Sequence, residues 1–192
     1  LGGATMTVNG SLQLRDRGSY GNLAVLNNGT VAVAGDVTAS LIGYGGSGTI
    51  RLTGNAAGQT ISSVTTSSRY PSLAIQTGAN SVTFSGNVVV TNNYTSTSVG
   101  TLIVTGSTLI IAASSGGTTQ TLATGTNLYN NVSFVGYDST WNLSSGTLNV
   151  GGTLTISDTG GCCYRTLNSG TINAYGDVSA SGNWQGGTAL IR

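Results

Sequence analysis

Lysine, glutamate and histidine do not occur in this sequence: its six basic residues are all Arg and its five acidic residues all Asp. With only 6% of residues charged, the solvent-facing polarity must come from Ser, Thr, Asn and Gly. The missing types also remove most proton-transfer chemistry. Acid–base work would fall to Asp16, Asp36, Asp138, Asp158, Asp177, Tyr or Cys, and the five Asp are dispersed. Asp36 and Asp177 each follow a Gly in two similar phrases, which reads as a turn-capping role. No enzyme is expected. Nor is a cofactor or a metal centre, because two Cys without His make a poor ligand set and repeated Asp-bearing calcium turns are lacking.

Other absences narrow the setting. A net charge of +1 gives no electrostatic reason to bind nucleic acid or an anionic membrane. No apolar run approaches the roughly 18 residues of a transmembrane helix, so no membrane insertion is expected. The opening LGGATMTVNG has neither an initiator Met nor a basic and apolar leader, which reads as a processed product or a piece of something longer.

What is present is glycine, 31 residues of it, and short apolar alternations of Val, Ile, Leu and Tyr with Thr. Those are strands joined by tight turns, so the chain is all-β. One motif recurs: Thr or Ser, then apolar, any, apolar, any, Gly, then two more alternating apolar positions. It appears as ATMTVNGSLQL from residue 4, GTVAVAGDVTA from 29, NSVTFSGNVVV from 80, GTLIVTGSTLII from 100, GTLNVGGTLTI from 146 and GTINAYGDVSA from 170. GTIRLTGNA from 48 is a partial copy and GTNLYNNVSF from 125 a looser one. The phrase at 29–51 is repeated at 170–192 without a gap.

The starts at 4, 29, 48, 80, 100, 125, 146 and 170 are separated by steps of 19 to 32 residues. A mean of roughly 24 lies in the range of stacked repeat units. Alternation sets Met6, Val8, Leu12 and Leu14 on one side of the chain, and likewise Val82, Phe84, Val88 and Val90. The Gly between the two strands suits a corner, since it accepts backbone angles a Cβ forbids. The sequence therefore predicts one domain over 1–192, a β-solenoid (parallel β-helix) of roughly eight coils. A β-sandwich is the alternative, in which the same strands would pair as hairpins. Most corners lack the Asn-Gly or Asp-Gly of a two-residue hairpin, which favours the solenoid.

GTLNVGGTLTI, NVSFVGYDSTWNLSSG and GTINAYGDVSAS resemble the Gly-, Thr- and Asn-rich β-strand repeats of long bacterial surface and adhesin-like proteins. The resemblance implies an extracellular or cell-surface location and a structural or adhesive role, and supplies no catalytic residues.

The expectation is an extracellular structural protein, a subunit or segment of a self-assembling surface fibre, polymerising with its own kind through the ends of the coil stack. The first candidate strand begins at Ala4 and the last phrase stops at Arg192, and the only Pro, Pro71, lies between coils and protects neither end. The alternative is an adhesin or carbohydrate-binding module, its glycan held by Tyr20, Tyr44, Tyr70, Tyr94, Tyr129, Tyr137, Tyr164, Trp141 and Trp184; loop packing and subunit contacts compete for the same side chains. The adjacent Cys162 and Cys163 are candidates for a disulfide, with each other or with other chains. Asn9, Asn28, Asn93, Asn131 and Asn142 each begin an Asn-X-Ser/Thr triplet, the acceptor pattern for glycosylation.

Overall fold

The computed structural model describes residues 1–15, 26–40, 46–54, 57–113, 117–136, 138–144, 146–158, 165–182 and 185–192. Among them there are twenty-two strands and no helix. The chain winds as a β-solenoid of about seven turns, in which each strand pairs in parallel with its counterpart one turn earlier and one turn later. Parallel pairing excludes the hairpins a sandwich of these strands would need; the sole antiparallel contact among the described residues is one bridging pair, Ser63 beside Asn87.

The first coils carry two strands each: β1 (Thr5–Val8) and β2 (Leu12–Arg15), β3 (Thr30–Val33) and β4 (Val37–Ser40), β5 (Thr49–Leu52) and β6 (Gln59–Ser63). Later coils carry three. These are β7 (Ser72–Gln76), β8 (Ser81–Phe84) and β9 (Asn87–Val90), then β10 (Tyr94–Ser98), β11 (Thr101–Ile103) and β12 (Thr108–Ala112). Next come β13 (Thr118–Ala123), β14 (Leu128–Tyr129) and β15 (Asn131–Gly136), followed by β16 (Ser139–Leu143), β17 (Thr147–Val150) and β18 (Leu154–Asp158). The last coil has β19 (Thr166–Asn168), β20 (Thr171–Ala174) and β21 (Val178–Ser181), and β22 (Leu190–Ile191) opens another.

Three faces result. The first is the eight-stranded ladder β1-β3-β5-β7-β10-β13-β16-β19. The second holds β2-β4-β6-β8-β11 and, after a break in the ladder, β14-β17-β20-β22 at the same place in the circuit. The third is β9-β12-β15-β18-β21. At the usual strand spacing of about 4.8 Å, eight strands make a stack roughly 34 Å long.

The core consists of columns of like residues. On the first face Met6, Val31, Ile50, Leu73, Tyr94, Leu122 and Leu143 lie one above the other. On the third, Val88, Leu109, Val132, Leu154 and Val178 do the same. Each fully buried aliphatic side chain stabilises by about 1.5–3 kcal/mol, and only stacking provides that burial.

Two kinds of glycine make the corners. Gly86 and Gly106 take the left-handed backbone (φ 69° each) that a side chain resists. Gly35 does not; a Cβ there would stand 2.6 Å from the carbonyl carbon of Gly10 in the coil below, so it is a matter of close approach between coils.

The 32-residue step in the motif, from 48 to 80, marks a change of face. Thr49 of β5 pairs with Ser72 of β7, one turn on, but SLAIQ lacks the motif. The next motif copy starts β8, on the second face. From there on the motif occupies the second and third faces instead of the first and second. At that joint Tyr70 is buried, its hydroxyl donating to the carbonyls of Val37 (3.2 Å) and Ser62, and it bridges to Val90 at the start of the third-face ladder.

Candidate functional site

Among the described residues, those singled out by sequence do not converge. Asp36 and Asp177 lie on corners six coils apart, and the Asp36 carboxylate accepts the N–H of Thr60 in the following coil at 2.7 Å. It is a cap, as expected, though it caps the coil above and not its own turn. Asp138 sits at a turn with φ 47°. Asp16, the side chain of Asp158, and Cys162 and Cys163 are outside the described residues. Among the described residues no three His, Cys, Asp or Glu side chains group together. Among the described residues no helix is long and apolar enough to cross a membrane.

The five triplet asparagines fall at different places. Asn9 and Asn28 are exposed, the latter at φ 54° with its side-chain oxygen accepting from the Ser47 hydroxyl. Asn93 and Asn131 have structural work: their side-chain oxygens accept the N–H of Thr121 and Thr153, one coil on, at 2.8 Å each. Asn142 is half-buried in β16, beside Thr121 and Asn168.

The described aromatics mostly point inward. Tyr70, Tyr94, Tyr129 and Trp141 are core residues. Tyr94 and Tyr129 are hydrogen-bonded through their hydroxyls at 3.0 Å and meet edge to face. Ser96 bonds the Tyr129 hydroxyl at 2.6 Å, while Asn127 donates to the carbonyls of Ser96 (2.7 Å) and Thr124 (2.9 Å). Burial holds the Tyr94 and Tyr70 phenols well above the usual value and pushes Tyr129 up to about 12. Tyr20, Tyr44, Tyr137, Tyr164 and Trp184 lie outside the described residues, and Tyr175 is exposed.

Two buried glutamines were not anticipated. Gln59 donates to the carbonyls of Val33 (2.9 Å) and Gly35 (2.6 Å) and accepts the N–H of Gly54 (2.6 Å). Gln120 donates to the carbonyls of Thr91 (2.6 Å) and Ala112 (3.1 Å) and accepts from the Trp141 indole. Their signal in the sequence is an amide at an inward place in an alternating strand.

Chemistry is left uncovered at the ends of the stack. On the β1–β2 edge Met6 is 43% exposed, and Val8, Leu12 and Leu14 are half-buried although they face inward. At the other end Val178 is 50% exposed and Ile191 40%. Their column mates inside the stack, Val31, Leu154 and Ile172, are sealed. Among the described residues the terminal strands of each ladder pair on one side only.

Comparison with protein-family models, curated proteins and solved structures returns no match.

Proposed function

We propose that this chain is an extracellular structural element, a subunit or segment of a surface fibre that grows by stacking coil on coil along the solenoid axis. The observation that carries the reading is that each coil inside the stack is sealed by the coils on either side of it, through parallel backbone pairing and apolar columns that run along the axis. Strand addition along that axis extends the backbone ladders and the apolar columns together. The surface agrees with it: outward positions on the described strands are mostly Thr, Ser and Asn, as in Thr5, Thr30 and Thr49 of one column, and charged ones such as Arg15 and Arg51 are few, which allows close lateral packing with little charge repulsion. The adhesin alternative loses support because four of the aromatics proposed to hold a glycan fill the core.

Electron microscopy of the native material, with mass determination after denaturation and reduction, tests this. Fibres that release a subunit of about 19 kDa indicate noncovalent stacking, and fibres of a far heavier chain indicate one segment of a long solenoid. Particles that stay single at every concentration defeat the proposal.

A further inference from the structure

The seal between coils fails at one place inside the stack. On the second face β8 pairs with β11 and β14 pairs with β17, but β11 and β14 do not pair with each other, and no backbone hydrogen bond joins residues 101–105 to 125–129. The faces on either side stay in register across the same two coils, with Tyr94 beside Leu122 and Leu109 beside Val132. Between those two ladders the chain spends 15 residues from Tyr94 to Leu109, as it does from Leu73 to Val88 one coil earlier. From Leu122 to Val132 it spends 10, and from Leu143 to Leu154, 11. Coils of unequal girth thus meet between β11 and β14, and the wider one ends there in a ledge. Gly125 closes on Thr97 at one corner, and the N–H of Asn131 reaches the Ser107 carbonyl (3.2 Å) at the other, so the gap is confined to this face.

The ledge leaves open the free edge of β11 and the inward side chains behind it. Leu102 and Val104 hold the inward places that Leu148 and Val150 hold in the sealed phrase GTLNVGG. Val82, the partner of Leu102 in β8, is also sealed, yet Leu102 and Val104 are only half-buried. Between them Ile103 is 42% exposed, and Leu128, on the narrower coil, 54%. The residue at the place of Leu102 in the next coil is Asn127, whose amide donates to the carbonyls of Ser96 (2.7 Å) and Thr124 (2.9 Å) and gives Leu102 no apolar neighbour. Open strand edges are ordinarily guarded by Pro or by charge. This one has neither: between Arg69 and Asp138 the sequence carries no charged residue, and its only Pro, Pro71, precedes β7.

We infer that this ledge is a docking seat for an extended, uncharged peptide strand of a partner protein, which pairs along β11 and lays two apolar side chains, two residues apart, over Leu102 and Val104. Backbone complementarity selects the occupant, because the edge offers N–H and C=O groups at strand spacing and an extended polypeptide answers them in kind. Charge selects its composition. With no Arg or Asp from residue 70 to residue 137, a charged side chain on the incoming strand would lose water and gain no partner. The seat lies on the flank of the solenoid and does not depend on growth along the axis.

The heptapeptide GTLNVGG, residues 146–152, carries the same phrase as β11 and serves, labelled with fluorescein, as the probe for the full chain. Fluorescence anisotropy should show saturable binding that Ile103→Lys, a change at an exposed position, weakens at least about tenfold, since charge on an edge blocks strand addition. Pairing along one edge uses the amides of alternate residues. In the unsubstituted protein, N-methylation of the peptide at its Leu and Val, or instead at its Thr and Asn, should therefore abolish binding in one case and spare it in the other. With Cys162→Ser, Cys163→Ser and Ile103→Cys, a peptide bearing Cys in place of its Asn should form a mixed disulfide under mild oxidation, because the two Cα atoms then stand within about 7 Å. Absence of binding, binding that Ile103→Lys leaves unchanged, or the same result for both methylated peptides overturns the seat.

Discussion

Gln59→Met isolates what a buried amide contributes at a solenoid corner. The methionine fills nearly the same volume, so the cavity cost is small, below about 1.5 kcal/mol. Three hydrogen bonds disappear. The Val33 carbonyl retains the N–H of Thr53 at 2.9 Å and is not orphaned. The Gly54 N–H and the Gly35 carbonyl lose the partner that stands 2.6 Å from each. An unsatisfied buried backbone group costs about 1–3 kcal/mol, so the substitution should destabilise by about 2–4 kcal/mol, a large share of the roughly 5–15 kcal/mol typical of a domain. Gln59→Ala should cost about 1–2 kcal/mol more, from the space left empty. Urea unfolding followed by far-ultraviolet circular dichroism reads both: the midpoint should fall with the slope unchanged. A lower slope would mean that the stack parts at this corner and unfolds in pieces. A methionine variant within about 0.5 kcal/mol of the parent would refute the reasoning and reduce Gln59 to a space-filler.

The two kinds of corner glycine should separate by substitution. Gly86→Asn, at φ 69° with open space around it, should cost less than about 1 kcal/mol, because Asn tolerates the left-handed region. Gly35→Ala should cost several times that in the same urea assay, since its Cβ meets the Gly10 backbone at 2.6 Å. Asn131→Ala removes the cap on Thr153 and should cost about 1 kcal/mol, with faster amide exchange at Thr153 as the local sign. Alkali should unfold the protein through its buried tyrosines. Tyr129 titrates near 12 when folded and near 10 when unfolded, so the stability it contributes is complete below about pH 10 and is lost as pH rises toward 12. Tyr70 and Tyr94 shift in the same direction and steepen the loss, by about 1.4 kcal/mol per pH unit for each group that ionises only on unfolding. Tyrosinate absorbance from these three should appear together with loss of the strand signal; its appearance before unfolding would contradict their burial.

Strand, corner and period were legible because alternation and glycine are local. Met6, Val8, Leu12 and Leu14 declare an inward side by themselves, and stacking follows from the absence of hairpin turns. The face on which each strand lies was not legible. Alternation tells inward from outward but not one of three inward directions, so the same phrase gives first- and second-face strands at 29–40 and second- and third-face strands at 170–181. The strands that build the first face in later coils also escaped the motif. β10 and β13 turn Ser96 and Gln120 inward, where an apolar residue would be expected, because buried hydrogen bonds satisfy them there. The tyrosines were hidden for the same reason: a phenol reads as a surface group until Ser96 or the Ser62 carbonyl is found opposite it. Capping by Asp36, Asn93 and Asn131 spans 22 to 28 residues, beyond any local pattern.

That one phrase serves on two pairs of faces bears on how the stack grows. GTVAVAGDVTAS and GTINAYGDVSAS keep their latch, in which Asn27 and Asn168 accept the N–H of Ser47 and Thr188, their corner Asp and their left-handed pair, Asn28-Gly29 and Ser169-Gly170, after being shifted by a whole face. A coil therefore recognises the strand beneath it through backbone pairing, an inward apolar residue and a capping oxygen, and is indifferent to which of the three sides carries them. Such a unit can be added wherever a strand edge stands open. The same tolerance let the motif slip by a face between 48 and 80 inside this chain. The internal slip needed a buried Tyr70 to bridge from the second face to the third.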